Sequence, residues 1–167
     1  WSFEVKTIEK YLNVTGGYDS SNNPSVLRPL TPSKLWFADN VEEKYSVPVG
    51  FIIDISRNHT YYFNKTALNS TDVLKSVNIT FNRYNSRDNI TAELHLYNNS
   101  SGQELGFDNF ISMPKGENTS YLDATPYVNK SSLGNLRMKL FAFRPETTGK
   151  PEIDVDWIVI AYEYYLD

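Results

Sequence analysis

Short stretches in which apolar and polar residues alternate recur along this chain, and that pattern confines it to folds built from β-sheet. Successive side chains of a strand point to opposite faces, so alternation over about four to eight residues marks a strand with one face buried. Val77-Asn78-Ile79-Thr80-Phe81-Asn82 and Ile90-Thr91-Ala92-Glu93-Leu94-His95-Leu96 are the clearest instances. Strands are expected at Ser2 to Leu12, Lys34 to Ala38, Tyr45 to Ile55, Thr60 to Phe63 and Lys75 to Tyr84. Four more follow at Ile90 to Tyr97, Leu105 to Ser112, Leu133 to Phe143 and Ile153 to Leu166. Turns fall at Asn98-Asn99-Ser100-Ser101-Gly102, Pro114-Lys115-Gly116 and Thr147-Thr148-Gly149-Lys150-Pro151. Only Thr66 to Lys75 has weak helical character, with Asn69-Ser70-Thr71-Asp72 able to begin one turn. Many short strands with polar turns predict an all-β fold, a β-sandwich of Ig-like, pilin-like or jelly-roll type.

The chain's 167 residues suit one domain with a sizeable core. In the last strand Ile153, Val155, Trp157, Val159 and Ala161 share one parity, while Ile158, Ile160 and Tyr162 occupy the other. Both faces look covered from Trp157 onward, so this strand is expected at the centre of a sheet with Trp157 anchored in the core. Net charge is −4 without a basic block, which removes the electrostatic footprint for nucleic acid. The longest strongly apolar run, Trp157 to Tyr162, is far short of the roughly 20 residues of a membrane helix, so no membrane insertion is expected. A first residue Trp1 in place of Met suggests a processed, secreted form.

Cysteine is absent, which taken alone favours the cytosol. The sequons outweigh it. Asn-X-Ser/Thr triplets begin at Asn13, Asn58, Asn64, Asn69, Asn78, Asn89, Asn98, Asn99, Asn118 and Asn129, so ten of seventeen asparagines head one. Random placement with this Ser and Thr content gives roughly three, and the shared preference of Asn, Ser and Thr for turns does not raise that to ten. Covalent N-glycans on an extracellular, cell-surface glycoprotein are therefore expected. Asn78 and Asn89 fall in the outward rows of their strands, where a glycan covers a sheet face and leaves the core undisturbed.

At the amino end Trp1, Phe3 and Val5 alternate with polar residues, and the apolar parity then shifts to Ile8, Leu12 and Val14. A bulge near Thr7 accommodates the shift. Gly16-Gly17 and a Ser-, Asn- and Pro-rich stretch to Ser33 follow, reading as hinge and linker. The organisation expected is a detached strand over residues 1–15, a hinge and linker over 16–33, and a sandwich body over 34–167. The bland reading makes residues 1–15 the first strand of their own sandwich; the sharper one sends them into a neighbouring subunit, as in donor-strand complementation. Repeated head to tail, that contact builds an open filament of identical subunits.

A cysteine-free chain dense in sequons resembles archaeal cell-surface proteins in composition. With Trp1 to Val14, the Gly16-Gly17 joint, the sequons and the all-β body, it resembles in architecture the archaeal thread-type filament subunits, which are comparable in form to bacterial chaperone-usher pilins. The resemblance implies a pilus-like filament for adhesion or cell contact. Type IV pilins carry a long apolar N-terminal helix instead, and Trp1 to Thr15 is too short and too alternating to be one.

No catalytic machinery or cofactor site is legible, so an enzyme is not expected. His59 and His95 are the two histidines, and His95 falls in an outward row, where a solvated role is expected. No G-x-S-x-G elbow, phosphate-binding loop or H-E-x-x-H helix occurs. Asp154, Asp156 and Glu152 share one strand parity; Ca²⁺ binding or a glycosidase pair would use such carboxylates, but a solvated strand entrance is the preferred reading. The competing function is a carbohydrate-binding, lectin-like module. It is motivated by the surplus of Tyr, including Tyr61-Tyr62 and Tyr164-Tyr165, and by an ending loosely similar to terminal strands of lectin-like domains.

Overall fold

The computed structural model describes residues 5–36, 42–50, 53–66 and 68–166. Within them lie β1 (Thr7–Asp19), β2 (Arg28–Pro29), β3 (Glu43–Ser46), β4 (His59–Phe63) and β5 (Val73–Asn85). Then come β6 (Ile90–Asn98), β7 (Glu104–Met113), β8 (Gly116–Asp123), the single helical turn α1 (Lys130–Leu133), β9 (Leu136–Phe143) and β10 (Glu152–Tyr165). The strand order is β7-β6-β9-β4-β1-β10-β5-β8, with β2 beside β1 and β3 beside β10. This antiparallel sheet curls over until it is nearly closed into a barrel-like sandwich, as alternating strands with one apolar face require.

The first strand joins the two layers. Thr7 to Asn13 pair with Tyr165 to Val159 of β10. From Val14, opposite Phe63, the strand continues beside β4; after an irregularity between Val14 and Gly16, Gly16 lies opposite Tyr62 and Asp19 opposite His59. Leu12 and Val14 point inward and are fully buried. In the single chain this strand is therefore not detached: its apolar row finds its complement in the same chain's core. Gly16-Gly17 is not a free hinge either. Gly17 lies inside the strand at φ +155°, and a Cβ there would sit 2.0 Å from the Thr60 carbonyl oxygen, so glycine is what lets β1 approach β4.

The expected linker is likewise tacked to the body. Arg28 and Pro29 pair with Asp19 and Tyr18, and Leu30 is buried. A 3-10 turn at Pro32–Leu35 replaces the first part of the strand expected from Lys34 to Ala38; residues 37–38 lie outside the described residues. Leu35 enters the core. Trp36 donates its Nε1–H to the Val14 carbonyl at 2.5 Å, which satisfies the backbone where β1 leaves β10.

β10 is central, as its apolar run requires, with β5 along one edge and β1 and β3 sharing the other. Trp157 is not a core anchor, however. A bulge between Val155 and Trp157 shifts the parity, so Ile153 and Val155 and then Ile158, Ile160, Tyr162 and Tyr164 are buried, while Trp157 turns half-exposed to the outer face. Thr66 to Lys75 contains a turn closed by Asp72, which accepts from the Asn69 backbone N–H at 2.7 Å. β8 and α1 carry too few apolar residues to be seen in the sequence.

The core holds one unexpected group. Arg83 continues the inward row of Val77, Ile79 and Phe81 and is 1% exposed. Its NH1 donates to Ser120 Oγ at 2.6 Å, and the guanidinium lies 5.3 Å from the Phe81 ring centroid and 5.5 Å from that of Phe110. Burial pulls its pKa down to about 10, and its Nε has no hydrogen-bond partner. A buried charge held by one hydroxyl and two ring faces costs more than an apolar side chain of similar length. Arg83→Met is expected to raise the stability by about 1 kcal/mol, read as a higher urea midpoint at unchanged slope.

Candidate functional site

The feature of this molecule with the most functional content is the seat of β1. Of the six apolar residues expected to fill an acceptor groove, Trp1 and Phe3 lie outside the described residues and Val5 is 61% exposed. Ile8 packs half-buried against the core, and Leu12 and Val14 are inside it. Burial of these last two contributes about 1.5 to 3 kcal/mol each.

Where β1 ends, a buried polar cluster fastens the layers. His59 is fully buried; its Nε2 lies 3.0 Å from the Lys44 carbonyl and 3.2 Å from Asp19 Oδ1. Both partners are acceptors, so Nε2 carries a hydrogen, and Nδ1 lies 2.9 Å from the Tyr61 hydroxyl. Asp19 also accepts from the Ser21 hydroxyl at 2.6 Å and the Ser21 N–H at 2.8 Å. Tyr45 accepts from the Ala142 N–H and donates to the Arg57 carbonyl. Burial pushes the Asp19 carboxyl up, but its bonds to His59 and Ser21 and the charge interaction with His59 outweigh that and hold it below the usual carboxylate range. Burial pushes the Tyr45 and Tyr61 hydroxyls up, so both stay protonated. With Asp19 placed between Ser21 and His59, no serine is set beside the imidazole as a nucleophile would be.

The sequon asparagines occupy three kinds of place. Asn64, Asn69, Asn78, Asn99, Asn118 and Asn129 are exposed. Asn13, Asn58 and Asn98 are half-buried, and the carbonyl of Asn98 accepts from the Ser100 and Ser101 N–H groups and from Asn135. Asn58 accepts from the hydroxyl of its own sequon Thr60 at 2.8 Å. Asn89 is exposed but does not continue the outer row of β6: it turns the chain before that strand at φ +58°, and its amide donates to Glu146 at 2.6 Å. Asn129 caps α1, accepting from the Ser132 N–H at 2.9 Å. The neighbouring Lys130 ammonium binds the carbonyls of Asn69, Ser70 and Asp72, which ties two sequon turns together.

The remaining polar groups depart from expectation. His95 does face outward, yet it is not solvated: it bonds Glu104 and, at 2.7 Å, Glu93, and stacks on Phe107 with centroids 4.6 Å apart. Asp156 is the bulge residue of β10 and is buried, so the carboxylates of that strand do not share one solvated face. Asp154 is pushed up by burial, and Glu42 by burial and then by Asp154, Asp156 and Glu117. Among the described residues no group of three or more His, Cys, Asp and Glu side chains is placed to hold a metal ion. A cleft of about 340 Å³ beside β3 is lined in part by Ser46, Pro48, Arg57, Lys150 and Glu152, with Arg57 ion-paired to Asp54 at 3.3 Å.

No protein-family model and no curated protein matches the chain. Among solved structures it is similar to the Eiger TNF from S. frugiperda, at 13% identity over 96% of this chain and 93% of that one, with a TM-score of 0.39. The enzymatically active domain of bacteriophage CBA120 tailspike protein 4 matches 96% of this chain and 19% of its own, at 10% identity and the same TM-score of 0.39. An infectious bursal disease virus structure matches at 7% identity over 86% of this chain and 39% of that one, with a TM-score of 0.31. Likenesses this low carry no functional argument.

The Asp19 cluster gives a pH prediction. A carboxyl depressed in the folded state stabilises above its unfolded pKa, and the contribution is lost as pH falls through the folded value. Asp19→Asn is therefore expected to cost about 2 kcal/mol at pH 7. Urea midpoints measured from pH 7 downward should converge with wild type once the acid range is passed; a constant offset would assign the loss to packing.

Proposed function

We propose that this chain is a structural subunit of an extracellular, N-glycosylated, pilus-like filament, joined head to tail by exchange of the first half of β1 and serving adhesion or cell contact. One observation supports this above others. β1 supplies core residues to both layers, yet Thr7 to Leu12 are held by a single ladder, to β10, and Asn13 is the first residue also bonded on its other side, to Asn64. The change of partner between Asn13, opposite Val159 of β10, and Val14, opposite Phe63 of β4, separates that half from the part fixed to β4. An identical half-strand from a second copy makes the same ladder and buries the same Leu12. Exchange therefore conserves that ladder and turns a closed self-contact into an open, repeating one. The density of sequons supports placement outside the cell.

A carbohydrate-binding module is the second reading, favoured by the exposed Tyr11 and Tyr121 on one outer face. It is weakened at the tyrosine pairs that first suggested it, because Tyr61 and Tyr164 are buried. Negative-stain imaging of native protein separates the two. Fibres are expected, and deletion of residues 1–15 is expected to abolish them while leaving a soluble, less stable body. Polymers that survive the deletion, or discrete particles that bind glycans, would contradict the filament proposal. Intact mass before and after deglycosylation should differ at several sequons; a bare polypeptide mass for native material would remove the glycoprotein reading.

A further inference from the structure

One outer face of the sandwich sets exposed apolar side chains among largely uncharged polar ones, and two sequons sit within it. The registers of β1, β10, β5 and β8 place Tyr11, Ala161, Asn78 and Asp123 in one row across four strands. The next row is Asn13, Val159, Thr80 and Tyr121. Tyr121 is 73% exposed and Tyr11 56%, and Ala161 and Val159 between them are half-exposed. Asp123 is the one charged residue of the two rows. Tyr121, Val159, Ala161 and Tyr11 thus leave apolar surface on which a cover can rest.

The covering group is indicated by Asn78. It stands in the middle of the face and shares it with Thr80, the hydroxyl residue of its sequon. Directly opposite are the small Ala161 and Asp123; its diagonal neighbours are Val159 and Tyr121 towards one end of the strand and Glu163 towards the other, about 7 to 8 Å away in an antiparallel sheet, with Thr125 following the end of β8 on that second side. A hydrophilic polymer anchored there blocks the flat approach of a protein, and the first sugar rings reach Val159 and Tyr121. Pyranose rings carry apolar C–H faces that pack on aromatic rings, while their hydroxyls stay in water.

We propose that the N-glycan of Asn78, with a second on Asn13, lies down on this face against Tyr121, Val159 and Tyr11, so that the sugar is a stabilising layer of the fold. This rests on the glycoprotein reading above, and the test separates the two. Glycopeptide mass spectrometry of protein from an N-glycosylating host gives the occupancy of Asn78. Thermal unfolding then compares wild type, Asn78→Gln, Tyr121→Ser and the double variant, and Tyr121→Ser is repeated in protein made without glycans. With Asn78 occupied, each single change is expected to lower Tm by about 2 to 4 °C. The double change should lower it no further than the larger single one, and Tyr121→Ser should be neutral in bare protein. Additive losses, or an equal Tyr121→Ser loss with and without glycan, would overturn the packing while leaving glycosylation standing. An empty Asn78 would overturn both at this site.

Discussion

The hydrogen bonds of β1 hold this molecule together as one body. One layer centres on β10 and β5, the other on β9 and β6, and each has its own ladders. β1 runs from the first layer into the second by changing partner between Asn13 and Val14. An unpaired strand edge exposes backbone donors and acceptors, and an unfilled inner row exposes apolar surface. β1 satisfies both at once, and a fold that depends on one strand for both is open to completion by an equivalent strand from elsewhere.

The polar groups around that seat act with it. Asp19, His59, Tyr61 and the Lys44 carbonyl form a buried network contributed by β1, β4 and β3. It fixes the second half of β1, where Gly17 also demands close approach to β4. The first half has no such lock. This asymmetry, fixation on both sides from Asn13 onward and a single ladder up to Leu12, distinguishes the part of the strand suited to exchange from the part that is not.

Much of the architecture was legible because buried rows alternate. β4, β5, β6, β7, β9 and β10 fall close to where Thr60, Val77, Ile90, Leu105, Leu140 and Ile153 place them, and Leu12 and Val14 are inward as their parity demands. Alternation states which face a residue takes and not which chain's core receives it, so cis insertion of β1 was invisible. Parity also failed at the β10 bulge, where one extra residue moved Trp157 outward and Asp156 inward. β8 was missed because Leu122 is its one buried apolar residue, while Ser120 in the same row serves Arg83 and Asn118 is exposed. Gly16-Gly17 read as a hinge from composition, whereas the Thr60 carbonyl that requires Gly17 lies over forty residues away. Asn89 left its outer row for a similar reason: a left-handed turn is a tertiary choice that alternation does not encode.

The chain has no cysteine, which permits a direct test of whose core β1 completes. Tyr11 and Ala161 lie opposite each other on the outer face of the β1 and β10 ladder, within disulfide reach for antiparallel neighbours. Filaments assembled from a Tyr11→Cys, Ala161→Cys variant, oxidised and run on a denaturing non-reducing gel, should give a ladder of covalently joined subunits that collapses on reduction. Monomers alone, each carrying an internal disulfide, would contradict strand exchange and leave β1 as a permanent part of its own chain.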